Sequence, residues 1–320
     1  MKVDRGVLAG VGVVVLWASA FPAIQVAAPT LGVIGLSFVR LLVATVVLLA
    51  VGAKLGVRVP HRRDLPWIAV AGFFGMFAYQ LLLNASELFV PSGTASIIVA
   101  AAPLVSVAVA RMLFREPISR FTILGSVLAL SGVTAVCLAR ATVAASMTVL
   151  IVVAAMVVQG IYHPLQRPLT VTYSGLEIAT YCMVVGTLLT APLVPFGWHQ
   201  LNTAPLDAWI CAVYLGLLPS ALGFVLWAVA VGRLPIATST SLLYLVPPVT
   251  VLIAWVWLGE APLVSEIVGG VIVIGGVTVI AQGSRIRSRI CALRTARSRQ
   301  RSAPSPVAAG HSSGPTHEQR

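Results

Sequence analysis

The sequence predicts an all-α polytopic membrane protein with ten transmembrane helices, arranged as an inverted five-plus-five repeat. Three observations lead to this prediction: the composition, a stretch of chain that occurs twice, and the placement of the arginines. Hydrophobic residues make up 58% of the 320 residues and charged residues only 9%, whereas soluble domains carry about 25% charged residues. Most of this chain therefore faces lipid or protein rather than water.

Residues 91–134 and 235–278 are the stretch that occurs twice, and a shift of 144 residues aligns them without a gap. The matches include residue types that a shared apolar composition does not explain. They are Pro91 with Pro235, Pro103 with Pro247, Glu116 with Glu260, Gly125 with Gly269, and Gly132 with Gly276. Internal repeats set the architecture of a chain, and in membrane transporters the substrate site lies at the repeat interface.

Apolar runs of about 20 residues between charges and turn residues define the predicted helices. They span residues 6–26, 31–52, 66–86, 92–114, 120–139, 145–165, 174–195, 207–230, 235–258 and 264–282. We assign residues 1–140 to the first repeat and 141–283 to the second. Residues 284–320 form a basic tail that has few apolar residues, and we predict that it is disordered.

Arginine and lysine are concentrated in alternate loops and in the tail, whereas the intervening loops contain only Arg140. The positive-inside rule therefore predicts that both termini lie in the cytoplasm. We expect the protein to lie in the cytoplasmic (inner) membrane. With five helices in each repeat, the two repeats must then have opposite orientations.

Prolines interrupt several predicted helices. A proline inside a helix removes one backbone hydrogen bond, which membranes tolerate where protein or a wet cavity satisfies the freed carbonyl. Interruptions at the same place in both repeats point to a midplane site, with packing kinks as the alternative interpretation. The predicted gating or kink residues are Pro22, Pro103, Pro164 and Pro247.

Polar and aromatic side chains inside the spans are the candidate substrate-binding residues. Arg40 lies deep in the second helix, where a charge costs roughly 2.5–3.5 kcal/mol, so it binds either a substrate carboxylate or backbone carbonyls. His163 is the only histidine in a predicted span. It is a site residue or a packing residue, and we predict that any proton coupling involves it because histidine titrates near neutral pH. The candidates are Trp17, Arg40, Tyr79, Asn84, Gln159, His163, Trp227, Thr240 and Tyr244.

The glycine pairs Gly125 with Gly132 and Gly269 with Gly276 place small residues on one face of the fifth and tenth helices. Small residues allow membrane helices to approach closely. We expect this face to pack within the chain first and in a dimer second, so the protein is a monomer or a homodimer.

The sequence lacks the motifs of several other classes. It has no glycine-rich phosphate loop with a lysine, no His-Glu-x-x-His pair and no Gly-x-Ser-x-Gly elbow, and we predict no catalytic residue, metal or cofactor. The net charge of +12 lies in loops and the tail, so it indicates anionic lipid headgroups or a plain flanking segment rather than nucleic acid. An intramembrane enzyme or a non-transporting sensor is the alternative to a transporter.

These motifs together resemble the drug/metabolite transporter superfamily, specifically its EamA-type permeases. The residues that carry the resemblance are Trp17-Ala18-Ser19-Ala20-Phe21, Phe38-Val39-Arg40, Pro103 with Arg115-Glu116-Pro117, and Pro247 with Gly259-Glu260. The resemblance covers about residues 6–282. It implies a central cavity and the export of small metabolites, amino acids or amphipathic compounds by alternating access. The second repeat departs from symmetry because it has no arginine at the place equivalent to Arg40.

Overall fold

The structure is a computed structural model that describes residues 5–115, 120–139, 145–233 and 242–279. Within these ranges the regular secondary structure is helical and no strand occurs. The candidate residue Thr240 lies outside the described residues, as does the predicted basic tail.

Nine mainly helical stretches lie in the described ranges, and six of them are long and apolar enough to cross a membrane. In chain order they are α1 (Arg5–Leu55), α2 (Arg62–Ser86), α3 (Ser92–Phe114), α4 (Arg120–Ala139), α5 (Thr148–Val171), α6 (Gly175–Thr203), α7 (Leu206–Ala230), α8 (Leu243–Leu258) and α9 (Val264–Val279). Large apolar side chains are exposed over much of the surface, Val46, Leu188 and Val256 among them. Such a surface suits lipid, and the all-α polytopic class is confirmed.

Helix α1 contains two helical arms, residues 5–31 and 33–55, on either side of Gly32. Its 51 residues would extend roughly 75 Å as one straight helix, at about 1.5 Å per residue. Gly32 breaks the helix with φ 70° and ψ 160°, a conformation that glycine adopts without a Cβ clash. The break therefore falls slightly later than the predicted connection at 27–30, because the fixed φ of Pro29 is compatible with helix whereas Gly32 accepts a positive φ.

The two equivalent prolines lie where helical segments begin. Pro103 follows the interruption between Ser92–Val99 and Ala102–Phe114 within α3. Pro247 is the second residue of Val246–Leu258 in α8. Proline suits the first turn of a helix because its missing N–H would have no intrahelical partner there. The structure thus has an interruption at both positions, and their gating role stays a prediction.

Contacts between the two halves of the chain are reciprocal. The hydroxyls of Thr45 and Thr187 are 2.8 Å apart and hydrogen-bonded. The two residues are 142 positions apart, close to the 144-residue shift of the repeat. Two π-helical segments, Phe73–Ala78 and Gly216–Leu222, also correspond to one another under the 144-residue shift to within one residue. Both observations relate positions that the sequence repeat makes nearly equivalent.

Helices α4 and α9 pack against each other at the predicted glycine pairs. A Cβ added to Gly132 would lie 2.7 Å from the carbonyl oxygen of Gly269, and one added to Gly276 would lie 2.6 Å from that of Gly125. The pairing runs in opposite directions along the two helices, so they are antiparallel. Glycine is required here because the backbones are in direct contact, which is the intramolecular packing that the sequence predicts.

Candidate functional site

Arg40, on the second arm of α1, is a buried cation with incomplete hydrogen bonding. Its side chain is only 7% exposed, and its Nε donates to the hydroxyl of Ser220, at 2.9 Å. The Nη1 atom is buried and has no hydrogen-bond partner. The ion pairs found among the described residues join Arg58 to Glu177 and Arg63 to Asp64, and neither involves Arg40. A guanidinium is always charged, so this site offers both a positive charge and a free donor to an anion.

Unpaired acceptors lie on the α2 face that packs near Arg40. Asn84 Nδ2 donates to the hydroxyl of Ser37, at 2.8 Å, and Ser37 is one turn from Arg40. Gln80 lies one turn before Asn84, and Gln80 Oε1 and Asn84 Oδ1 are both buried without partners. Residues three or four apart share a helix face, so the two free carbonyl oxygens lie on one side of α2. Tyr79, half-buried on the same helix, is in electrostatic contact with Arg40.

An aromatic group joins the first arm of α1 to α7. The Trp17 indole ring lies 5.8 Å from the Trp227 ring and 5.6 Å from the Phe224 ring, and its Nε1 donates to the carbonyl oxygen of Pro219, at 3.0 Å. Pro219 directly precedes Ser220, the partner of Arg40. Both belong to the π-helical segment of α7, where the wider turn changes the usual backbone pairing. The aromatic group and Arg40 are thus held by adjacent residues of one segment.

The other predicted site residues lie elsewhere. Gln159 on α5 has a buried Oε1 without a partner, beside the contact between Gly160 and α3. His163 is exposed on the surface of α5, and its ring lies 5.7 Å from that of Tyr162. Tyr244 on α8 donates to the carbonyl oxygen of Val277, at 3.4 Å. The structure therefore links five of the predicted residues through direct or shared contacts: Trp17, Arg40, Tyr79, Asn84 and Trp227. Gln159, His163 and Tyr244 contact other parts of the protein.

Two contributors to this site were not predicted: Ser37 and Ser220. Gln80, next to Tyr79, belongs to the polar group that the sequence places on one helix, and Ser37 had a usable signal because it lies one turn from Arg40. Ser220 had a weaker signal, its position next to an intrahelical proline. Single hydroxyls of this kind are common in membrane helices and do not by themselves distinguish a site from packing.

A polar cluster at one end of the molecule connects the two halves, and we call it the Arg58 cluster (Arg58, Asp64, Tyr173, Glu177 and Tyr181). Arg58 Nε lies 2.8 Å from Glu177 Oε1, and the carboxylate raises the pKa of Arg58 above its ordinary value. Tyr181 donates to the carbonyl oxygen of Arg58, at 2.5 Å, and Tyr173 donates to Asp64 Oδ2, at 2.7 Å. The α1–α2 connection is thereby tied to the start of α6.

A second cluster connects the halves at the opposite end, and we call it the Glu87 cluster (Gln25, Glu87, Ser92, Thr94, Glu260 and Glu266). Glu87 is 1% exposed and Glu266 2% exposed. Gln25 Nε2 donates to Glu260 Oε1, at 2.5 Å, and the Thr94 hydroxyl donates to Glu266. Arg40 lies between the clusters, about 12 Å along the helix from Gly32 and about 22 Å from Leu55.

A buried cation without an ion-pair partner, lying between two polar clusters in a multi-helix membrane protein, is typical of membrane transporters. This chain belongs to the EamA-like transporter family, whose sequence profile matches residues 4–138 and again residues 146–282. The predicted resemblance is therefore confirmed.

Relatives of this chain include two named transporters. It is 48% identical over 289 residues to the "Probable terminal-alkyne amino-acid exporter" of Streptantibioticus cattleyicolor, covering 90% of this chain and 97% of the relative. It is 31% identical over 263 residues to the "Uncharacterized transporter YdfC" of Bacillus subtilis, covering 82% and 86%. A solved crystal structure shares the fold, with a TM-score of 0.58 at 19% identity, covering 87% of this chain and 98% of that one.

Proposed function

We propose that this protein exports small amino acids, including terminal-alkyne amino acids, by alternating access, and that Arg40 binds their carboxylate. The observation that carries the proposal is the buried guanidinium whose Nη1 has no partner. Charge-assisted bidentate bonds make arginine well suited to carboxylates. The amino-acid exporter among the relatives supports the same substrate class.

The surroundings of Arg40 suit the rest of an amino acid. A substrate ammonium group needs acceptors, and Gln80 Oε1 and Asn84 Oδ1 are buried acceptors without partners. A short apolar side chain needs an apolar wall, and the rings of Trp17 and Trp227 supply one. An alkyne is linear and apolar, so it packs against aromatic faces without requiring a hydrogen bond.

The same proposal includes the predicted topology: ten spans in two inverted repeats, residues 1–140 and 141–283, with both termini in the cytoplasm. Support comes from the double match of the family profile, the Thr45–Thr187 pair and the antiparallel glycine contacts of α4 and α9. The two clusters agree with it, since residues predicted on the cytoplasmic side contact each other in the Arg58 cluster. Those predicted on the outer side meet in the Glu87 cluster. A lipid-bound tail and a monomeric or dimeric state remain predictions.

The test is release of an alkyne amino acid from proteoliposomes. Vesicles containing the purified protein are loaded with L-propargylglycine, and the released alkyne is measured by coupling to an azide fluorophore. Loss of a charge-assisted hydrogen bond costs roughly 1.5–3 kcal/mol, so Arg40→Gln should reduce release about 10- to 100-fold. The decarboxylated amine, but-3-ynylamine, should be a poor competitor.

The matched control is Arg63→Gln, because the Arg63 side chain is 78% exposed. It should release the substrate at the parental rate. Equal rates for Arg40→Gln and the parent at equal protein levels would show that Arg40 is a structural clamp, which is the alternative that the sequence leaves open. No release above empty vesicles by the parent protein would reject the substrate class.

A further inference from the structure

We propose that Glu87 is a proton-binding site, and that its proton completes the hydrogen-bond network that closes the Glu87 end of the transporter. The proposal rests on alternating access in the proposed function but not on the identity of the substrate. It differs from the sequence prediction, which directs any proton coupling to His163.

Glu87 is isolated from both water and cations. It is 1% exposed, and its Oε1 is buried without a hydrogen-bond partner. In the described part of the chain no basic side chain is ion-paired with it. An ionised carboxylate in such a place costs several kcal/mol, whereas the neutral acid has little charge to desolvate. Burial accordingly raises the pKa of Glu87 well above its ordinary value. A hydrogen bond from Ser92 to the carboxylate acts against this shift, and the nearby Glu260 charge adds to it.

The hydrogens in the network can be counted. The Ser92 hydroxyl lies 2.5 Å from Gln25 Oε1 and 2.9 Å from Glu87 Oε2, but it has only one hydrogen to donate. The backbone N–H of Ser92 lies 3.1 Å from both Gln25 Oε1 and Glu260 Oε2. Because Gln25 Nε2 donates to Glu260, the amide oxygen of Gln25 is the acceptor that faces Ser92. If Ser92 donates to Gln25, the contact with Glu87 needs a hydrogen on Glu87.

A proton on Glu87 gives each contact between side chains in this series its own hydrogen. Glu87 then donates to Ser92, Ser92 donates to Gln25, and Gln25 Nε2 donates to Glu260 Oε1. This series connects the α2–α3 segment, the first arm of α1 and the α8–α9 connection. It therefore joins the two halves of the chain, and it is complete only while Glu87 is protonated.

Ionisation of Glu87 weakens the closure, because the carboxylate then competes with Gln25 for the single hydrogen of the Ser92 hydroxyl. The titratable groups in electrostatic contact with Glu87 are Glu260 and Tyr79. Glu266 lies farther along the pocket that Glu260 lines, and from the first arm of α1 the facing polar group is the uncharged Gln25. None of these supplies positive charge, so a Glu87 carboxylate is stabilised only when water enters. The closed form binds the proton more tightly than the open form. Rising pH therefore favours the open form.

The test measures the distance across this end in the purified full-length protein in lipid nanodiscs. Phe89 and Leu263 are 63% and 42% exposed, and they flank the cluster on opposite halves of the chain. Spin labels are placed at these two positions after the native cysteines are replaced by serine. One proton separates the two forms, so the open-to-closed ratio should rise up to about tenfold per pH unit while Glu87 titrates.

Two variants test whether Glu87 is the residue that binds the proton. Glu87→Gln keeps a hydrogen-bond donor and loses the charge, so we expect the closed distance at every pH. Ser92→Ala removes the acceptor of the Glu87 proton, so the midpoint should shift to lower pH. Labels at Val59 and Val171, which are 88% and 87% exposed, report the Arg58 end, where alternating access predicts the opposite pH response.

Two outcomes would overturn the proposal. One is a distance distribution in the parent protein that does not change between about pH 5 and about pH 9, a range that extends well on both sides of neutrality. The other is an unchanged pH response in Glu87→Gln, which would assign the proton to Glu260 or Glu266. The measurement contains no substrate, so a failed amino-acid release assay has no effect on its result.

Discussion

Replacing Gly276 with alanine should separate α4 from α9. The added Cβ would lie 2.5 Å from the backbone nitrogen of Ala129 and 2.6 Å from the carbonyl oxygen of Gly125, against 3.4 Å or more for an ordinary contact. The two helices must therefore move apart by nearly 1 Å locally, because backbone atoms cannot rotate away as a side chain does. Overpacking of this kind typically costs about 1–3 kcal/mol, and we expect Gly276→Ala to lower the free energy of unfolding by an amount in that range.

The neighbouring residue supplies the control. A Cβ on Gly275 would meet no atom within 4 Å, so Gly275→Ala gains helix propensity, worth up to about 1 kcal/mol, without a clash. Gly132→Ala should resemble Gly276→Ala, since its Cβ would lie 2.8 Å from the backbone nitrogen of Val273. Thermal unfolding of the purified proteins in detergent, followed by circular dichroism, compares the three variants.

The same contact predicts how the substitutions combine. Once one alanine has separated the helices, a second alanine at the same interface causes a smaller clash. The Gly132→Ala/Gly276→Ala protein should therefore lose less unfolding free energy than the sum of the losses in the two single variants. Equal unfolding temperatures for Gly275→Ala and Gly276→Ala would refute the backbone contact. Strictly additive losses would instead place the two glycines in separate interfaces.

Three further perturbations test the rest of the structure. Trp17→Phe keeps an aromatic ring but loses the hydrogen bond to Pro219. Substrate binding should therefore weaken by about 1 kcal/mol, measured as a higher KM for transport, and an unchanged KM would show that Trp17 is not part of the site. Thr45→Val and Thr187→Val should each cost about 1–3 kcal/mol of unfolding free energy and the double variant less than their sum, whereas additivity would contradict the paired hydroxyls. Arg58→Ala should increase thiol labelling of cysteines placed at the Arg58 end, and unaltered labelling would show that the ion pair does not close that end.

Much of the helical framework could be predicted because lipid imposes simple demands on a sequence. Apolar runs bounded by arginines gave the helices, and the repeated glycines correctly indicated the close contact of α4 and α9. Polar contacts between distant helices could not be predicted in the same way. Thr45 and Thr187 are ordinary residues of apolar segments, and only the packed halves show that their hydroxyls meet.

Glu87 and His163 show why the candidate site was harder to predict than the fold. Glu87 lies in the short connection between α2 and α3, and such connections are usually solvated. Here it is buried beside Glu260 of the α8–α9 connection, and no local pattern indicates that burial. His163 lies within an apolar span, which suggests burial, yet its position on the helix surface leaves the ring exposed. In both cases burial is decided by elements far away in the sequence.

The Arg58 cluster and the Glu87 cluster should respond to different properties of the surrounding solution. The Arg58 side chain is 59% exposed, so dissolved ions screen its attraction to Glu177, with a Debye length of about 8 Å at physiological ionic strength. The Glu87 network contains no cation among the described residues and is sheltered from ions, so ionic strength should leave it unchanged. Salt on one face of the membrane and acidity on the other would then act on opposite ends of one molecule. A change in ionic strength and a change in pH would then affect the transport cycle through different ends of the protein.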